Sequence, residues 1–309
     1  MQYWPFVKYE LIIVRYGEIA LKAKATRRHF ENYLIDNIRN ALKTSGIYFR
    51  IKREWSRIYV YTRQINKSVD VLQKIFGITS ISPAIQTQSN MSSISNLAVN
   101  ISKNTLIDKK TFAIRVTRTG EHKYSSQDVA VKIGDDIVKA TKAGVNLTNP
   151  DFELFIEIRN ENAYLFTEKM NCNGGFPLGT QGKVLVMIDS IESILAAWYI
   201  MRRGCKPVFL NADESLSDVL STFIDKWYAD KDVIIVDTNK PIYRCINDAA
   251  YMNGCVNLVT GHSLYSASGD VLSDLKLLNE QVNVSILHPL IAMEKEEINN
   301  KIKEIGLSS

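Results

Sequence analysis

Two stretches of this 309-residue chain combine residue types that could do chemistry. The first is Ile188-Asp189-Ser190-Ile191-Glu192-Ser193, which sets two carboxylates and two hydroxyls between a strand-like run and a helical one. Strand-to-helix turns bind nucleotide phosphates because a helix N-terminus offers unpaired N–H groups and partial positive charge. Such a cradle usually has glycine, so that the backbone can be approached, and this turn has none. Its carboxylates would repel pyrophosphate. Asp, Ser and Glu also favour helix N-termini as caps, with or without a ligand, so both readings stand. The second stretch, Gly179-Thr180-Gln181-Gly182-Lys183, shares residues with a Walker loop but precedes its strand instead of following it. Cys172, Cys205, Cys245 and Cys255 show no CxxC spacing, and with four scattered histidines they make neither a zinc pattern nor a disulfide framework. Cys245 and Cys255 are expected to pack as small buried hydrophobes.

Charge points to a polyanion. Residues 1–70 hold 14 Lys/Arg against 6 Asp/Glu, residues 71–170 hold 12 against 10, and residues 171–309 hold 12 against 17. A basic front attracts a phosphate backbone by counterion release, although it also suits an ordinary solvated surface. No apolar run approaches the roughly 20 residues needed to cross a bilayer, and the start lacks the long apolar core of a signal peptide. No membrane role and a cytoplasmic location are expected.

The elements that must position these residues follow from periodicity. Leu11–Val14 reads as a strand, and Phe30, Leu34, Ile38 and Leu42 recur at helical spacing up to Gly46. Ile47–Lys52 and Ile58–Tyr61 read as strands, Val71, Leu72, Ile75 and Phe76 as a short helix stopped by Gly77, and Ile78–Ile85 as a strand. This βαββαβ order predicts a ferredoxin-like domain over residues 1–72. A second small α/β domain is expected over 73–170, with helices near Ile94–Ile101 and Val129–Val138, a strand at Phe112–Val116 and a hairpin at Phe152–Ile158 and Tyr164–Phe166. The Gly/Pro-rich residues 171–182 read as a linker. From 183 to 309, strands at Val184–Ile188, Pro207–Leu210, Val233–Val236 and Val256–Val259 alternate with helices, which predicts a doubly wound parallel sheet. Ligands of such sheets bind beyond the carboxyl ends of the strands, here after Ile188 and Val259.

Ile12-Ile13-Val14-Arg15-Tyr16-Gly17-Glu18-Ile19-Ala20-Leu21-Lys22, followed by Arg27-Arg28 and Phe30-Glu31, resembles the opening signature of the tRNA 4-thiouridine synthases, the ThiI-type tRNA sulfurtransferases of thiamine biosynthesis. Phe76-Gly77-Ile78, Ser82-Pro83-Ala84, Asn149-Pro150-Asp151, Glu157-Ile158-Arg159 and Phe166-Thr167-Glu168 resemble the family's THUMP region. Pro177 to Leu185, Leu258 to Leu264 and Pro289 to Ile298 extend the similarity towards the C-terminus.

The resemblance implies a ferredoxin-like domain, a THUMP domain and a pyrophosphatase-loop domain, an α/β and α+β chain. The first two would hold the acceptor arm of tRNA, and the third would use ATP and Mg²⁺ to adenylate a uridine that sulfur then attacks. RNA contacts map onto Lys22, Lys24, Arg27 and Arg28 and onto Arg115, Arg118 and Lys123. The nucleotide site maps onto Val186, Met187, Asp189, Glu192, Ser193, Lys240, Arg244, Gly261 and Asp270. The family's loop reads Ser-Gly-Gly-x-Asp-Ser, of which only Ser193 is identical here; Ile188, Asp189 and Ser190 replace the first serine and the glycines, and Glu192 replaces the aspartate. The acid after Gly261 is His262, and a later glutamine falls at Gly269 or Asp270. The family's first active cysteine maps onto Ile235 or a neighbour, and the region of the second maps beyond Ser309. A tRNA-binding protein with a degenerate ATP site, assisted by a sulfur donor or catalytic partner, is therefore expected. An active ATP-dependent sulfurtransferase and a tRNA-linked protein interaction module are the alternatives.

Overall fold

A computed structural model describes residues 8–21, 23–106, 111–265 and 271–307. The chain forms two compact units that do not follow chain order. The first takes residues up to Tyr16, Leu42–Gln73 and Thr79–Cys172; the second takes Gly17–Ala41, Lys74–Ile78 and the chain from Asn173 onward. Among the described residues no helix is long and apolar enough to cross a membrane.

The elements up to the linker are β1 (Leu11–Arg15), α1 (Lys24–Thr44, straddling the division), β2 (Arg50–Glu54), β3 (Arg57–Tyr61), α2 (Ile65–Leu72), β4 (Ser80–Gln88), α3 (Met91–Thr105), β5 (Thr111–Thr119), α4 (Ser126–Thr141), β6 (Gly144–Val145), β7 (Phe152–Arg159), β8 (Asn162–Phe166) and β9 (Met170–Asn171). The antiparallel order β2-β3-β1-β4 is that of the expected ferredoxin-like domain. The strands of the THUMP part continue the same nine-stranded sheet, in the order β8-β7-β5-β6. The joint is β4. Its residues from Ser80 to Ala84 pair with β1, and those from Ile85 to Gln88 pair with β8. Tyr59 on β3 stacks on Tyr164 of β8 at 4.6 Å, although two strands lie between them in the sheet order. The sheet must therefore curl across β1 and β4.

Two expected elements shift. The helix before Gly77 runs over Ile65–Leu72, because Ile65, Val69 and Leu72 supply its buried i, i+4, i+7 stripe; Ile75 and Phe76 are buried beyond its end. Phe76 stacks on Trp227 at 5.5 Å and meets Trp198 edge-on at 5.6 Å, which accounts for residues 74–78 clustering with the second unit. β2 starts at Arg50 and not at Ile47, whose N–H instead bonds Leu42 O to close α1.

The second unit contains β10 (Lys183–Ile188), α5 (Ile191–Arg202), β11 (Lys206–Asn211), α6 (Ser217–Trp227), β12 (Val233–Ile235), α7 (Ile242–Asn253), β13 (Asn257–Val259), α8 (Val271–Gln281), β14 (Ser285–Leu287) and α9 (Lys295–Glu304). The sheet is parallel throughout, in the order β12-β11-β10-β13-β14. Along β10, Val184, Val186 and Ile188 enter the core with α5, α6 and α9, while Leu185 and Met187 enter the core with α7 and α8. That alternation makes the sheet doubly wound. β14 was not anticipated, being three residues long with little pattern of its own.

In the first unit one buried carboxylate takes three guanidinium partners. Glu157 on β7 meets Arg15 of β1 at 3.2 Å, Arg57 of β3 at 2.8 Å and Arg159 of its own strand at 2.6 Å. Burial pushes its pKa up, and the three arginines outweigh this, leaving it below the usual carboxylate value. Glu157→Gln should strand buried positive charge and lower unfolding stability by about 3–5 kcal/mol, read from urea melts. A depressed folded pKa gives stability that is present above the unfolded value of about 4.3 and is lost as pH falls through the folded value. The variant should therefore lose part of the wild-type acid sensitivity below about pH 4.

Candidate functional site

β10 delivers the chain to the turn Asp189-Ser190, where Ser190 leaves the strand in extended geometry (φ −160°, ψ 168°) and caps α5. Its Oγ accepts from Ser193 N at 3.2 Å and donates to the Asp189 carboxylate at 3.1 Å. Ser193 is fully buried. Its Oγ accepts from the N–H groups of Asp189 at 3.2 Å and Ser190 at 3.3 Å, and donates to Ser190 O at 2.7 Å. The N–H groups of Asp189, Ser190 and Ser193 thus already have acceptors from within the chain. The capping reading of Ser190 describes what it does here.

β13 runs parallel to β10 with Leu258 opposite Leu185 and Val259 opposite Val186, so the turns after Ile188 and Val259 lie at the same sheet end, as expected. Gly261 is required there by proximity. A Cβ would stand 2.7 Å from Ser193 Cα and 2.8 Å from Glu192 C. Asp189, Ser190, Glu192, Gly261, His262 and Lys295 are among the residues lining a cleft of about 470 Å³. Burial raises the pKa of the Asp189 carboxyl, against the opposing effects of the Ser190 hydroxyl and of His262.

Behind His262 lies a polar chain missed in the sequence. The buried Thr260 hydroxyl sits 2.8 Å from His262 Nδ1 and 2.7 Å from His288 Nδ1. A hydroxyl has one proton, so when both bonds form it donates to one ring and accepts from the other. Burial and the neighbouring His262 lower the pKa of His288. The one signal was His288-Pro289 at the end of a short apolar run. Among the described residues no group of three or more His, Cys, Asp or Glu is placed to hold a metal ion.

The other expected nucleotide residues lie elsewhere. Val186 and Met187 are buried within β10 and do not line the cleft. Lys240 and Arg244 stand exposed at the start of α7, within 3.4 Å of Asp237 and 4.0 Å of Asp248 respectively. Lys240 borders a separate groove of about 380 Å³ that also includes Ile235, Cys245 and Met252. Asp270 lies outside the described residues. Cys245 and Cys255 are buried, as their expected packing role requires.

Of the expected RNA residues, Lys24 and Arg28 are exposed on α1, and Arg27 is partly covered and pairs with Glu31 at 3.8 Å. Lys22 lies outside the described residues. In the first unit Lys123 is exposed, whereas Arg115 bonds Glu153 and Leu147 O at 2.8 Å each. Arg118 bonds Gly120 O at 3.0 Å. Those two arginines are held in place by their own chain.

Family models match the chain in three places: the ThiI ferredoxin-like domain over residues 11–82, the THUMP domain over 88–168 and the thiamine biosynthesis protein ThiI over 214–308. The third match begins past β10 and its turn. A probable tRNA sulfurtransferase of Methanobrevibacter smithii is 31% identical, with 97% of this chain and 87% of the relative aligned. The crystal structure of PH1313 from Pyrococcus horikoshii Ot3 superposes with a TM-score of 0.84 at 29% identity, covering 96% of this chain and 99% of that one. A 4-thiouridine synthetase in complex with RNA and ATP gives a TM-score of 0.82 at 25% identity, covering 97% and 85%. With the ferredoxin-like and THUMP folds in place and a relative of this identity aligned over nearly its whole length, the chain belongs to the ThiI family of tRNA sulfurtransferases.

Proposed function

We propose that this chain is a tRNA-binding member of the family whose nucleotide turn does not hold ATP. The observation that carries this reading is Asp189, a carboxylate that lines the cleft where the family's loop has a glycine. Ser190 replaces the second glycine, and Glu192 keeps a carboxylate beside them. ATP is suggested by the ATP-bound relative and Mg²⁺ only by the family resemblance, but the residues of this turn do not fit a polyphosphate. RNA binding is supported by the THUMP domain, the RNA-bound relative and the basic front of the chain. Lys24, Arg27, Arg28 and Lys123 would meet the phosphates of the acceptor arm, with Lys22 beside them in sequence. Arg115 and Arg118 would present guanidiniums already oriented by their carbonyl partners.

A second reading, an ATP-dependent sulfurtransferase fed by an external sulfur donor, is favoured by the retained Gly261 and by the room left in the cleft. Calorimetry separates the two. Micromolar affinity corresponds to about −8 kcal/mol, and the unmodified chain should show no such ATP binding. The triple variant Asp189→Gly, Ser190→Gly, Glu192→Asp should recover measurable affinity; it leaves Ile188 alone because that side chain is fully buried in the core. Tight ATP binding by the unmodified chain would instead establish the second reading.

The RNA reading has its own measurement. Binding of unfractionated tRNA should fall steeply with salt, by about 0.9 in log K per log salt for each duplex phosphate neutralised. Lys24→Glu with Arg28→Glu, both exposed and clear of the Arg27–Glu31 pair, should weaken binding across many tRNAs and flatten that slope by about 2. No affinity at low salt would reject the assignment.

A further inference from the structure

The β2–β3 hairpin of the first unit carries charge and aromatic surface that neither the family motifs nor the cleft uses. Among the described residues β2 is an edge strand, hydrogen-bonded only to β3 in the sheet. From Tyr48 to Lys67 the chain has six Lys/Arg and one acidic residue, and Arg50, Lys52 and Arg53 lie exposed along the edge itself. Tyr48 precedes this row, 89% exposed, and Trp55 ends it at the hairpin tip, 67% exposed.

Basic residues on an open edge have an ordinary use, since they discourage pairing with another chain. That explains the charge but not the indole. The tip is also fixed. Ser56 adopts a left-handed conformation (φ +57°), Arg57 Nη1 bonds Ser56 O at 2.7 Å, and Arg159 Nη1 bonds Trp55 O at 2.9 Å. Arg57 and Arg159 are the same residues that close on Glu157, so the buried cluster holds the backbone beneath the exposed ring. Arg50 stacks its guanidinium on Tyr61 at 4.5 Å, and Lys52 pairs with Glu54 at 2.7 Å, which adds order along the edge.

A row of cations ending in a rigid, solvent-facing aromatic suits a nucleic-acid strand with an unstacked base. Phosphates meet the cations and the base covers the ring. We infer that the β2–β3 hairpin is a second RNA contact, in which Arg50, Lys52 and Arg53 track phosphates and Trp55 stacks on an unpaired base. The inference rests on the RNA-binding reading above and adds a single-stranded element to it.

The test uses the full chain and two RNAs, a blunt hairpin duplex and the same hairpin with a short 3′ single-stranded overhang. Trp55→Ala should weaken binding to the overhang RNA by about five- to a hundredfold and leave the blunt duplex unchanged, and Trp55→Phe should retain most of the affinity. The Trp55 carbonyl that bonds Arg159 survives each Trp55 substitution, and thermal melts of the variants separate loss of RNA contact from loss of folding. Arg50→Glu with Arg53→Glu should weaken both RNAs and flatten the salt dependence. Among the described residues Trp198 and Trp227 are buried, so fluorescence quenching by the overhang RNA should be largely lost in Trp55→Phe. If Trp55→Ala binds the overhang RNA as the wild type does while Lys24→Glu with Arg28→Glu weakens both RNAs, the hairpin contact is wrong and the RNA reading survives. If the unmodified chain binds neither RNA at low salt, both fall. Trp55-dependent binding to anionic phospholipid vesicles without Trp55-dependent RNA binding would move the surface to a membrane and overturn the inference.

Discussion

Among the described residues Glu157 is the only acid paired with the buried Arg15 and Arg159 and the part-buried Arg57, and the first unit is organised around that imbalance. A lone buried guanidinium is far costlier than a paired one, so β1, β3 and β7 are constrained to bring their arginines to one carboxylate. Arg15 also donates to Ser82 on β4 at 2.9 Å, and its guanidinium lies 4.9 Å from the centre of the Phe166 ring on β8. One polar cluster thus touches the strands on both sides of the joint in the sheet. The Tyr59–Tyr164 stack and the small apolar core around Leu11, Ile13 and Ala84 occupy the same curled region. Since the cluster is satisfied only when β3 and β7 approach across β1, β4 and β8, it selects the curled sheet over a flat one. A purely apolar core of the same size would leave that choice less determined.

Much of this organisation was legible because local patterns and tertiary placement agree. The alternation along Val184–Ile188 and the four-residue spacing along Phe30–Leu42 are periods that only one kind of element satisfies. β4 was legible as a strand but not as a joint, since its two halves differ in partner and not in residue type. Phe76 was read as part of a helix because it follows Leu72 at helical spacing; its burial against Trp198 and Trp227 is a long-range fact with no local signature. β14 is too short to show a period. In the site, Asp189, Glu192 and Gly261 could be located from the turn and the motifs. The Thr260 bridge to His288 could not, because it joins residues 28 apart that meet only when β13 and β14 pair. Lys240 and Arg244 show the converse: a position carried from a family motif fixes a place in the chain, while what the side chain meets there, Asp237 and Asp248, is seen only in the structure.

In the turn after β10, side chains decide what a common backbone geometry can hold. A helix N-terminus at the carboxyl end of a parallel strand presents N–H groups whatever the sequence. What approaches them depends on the first few side chains. Here Ser190 and Ser193 form a reciprocal cap, which meets part of the hydrogen-bonding demand of the helix start without an external anion.

A phosphate could in principle compete with the Ser193 hydroxyl, because hydrogen bonds to charged acceptors are worth about 1.5–3 kcal/mol against about 0.5–1.5 kcal/mol for neutral ones. For the two N–H groups involved, the exchange favours phosphate by roughly 2–3 kcal/mol at the middle of those ranges. Electrostatics opposes it. Unit charges of like sign 4 Å apart repel by about 4 kcal/mol at an effective dielectric of 20, and a triphosphate brings several charges to a cleft bordered by Asp189 and Glu192. Lys295 returns part of that, and the raised pKa of Asp189 means that acidification removes one of the two carboxylate charges before an ordinary aspartate would lose it. On the proposed reading the balance at neutral pH lies against phosphate, set by charge more than by lost donors. Removing the bulk at Ser190 while keeping Asp189 would leave that balance in place, whereas removing Asp189 alone would lift its largest single component and still leave Glu192 opposing the ligand.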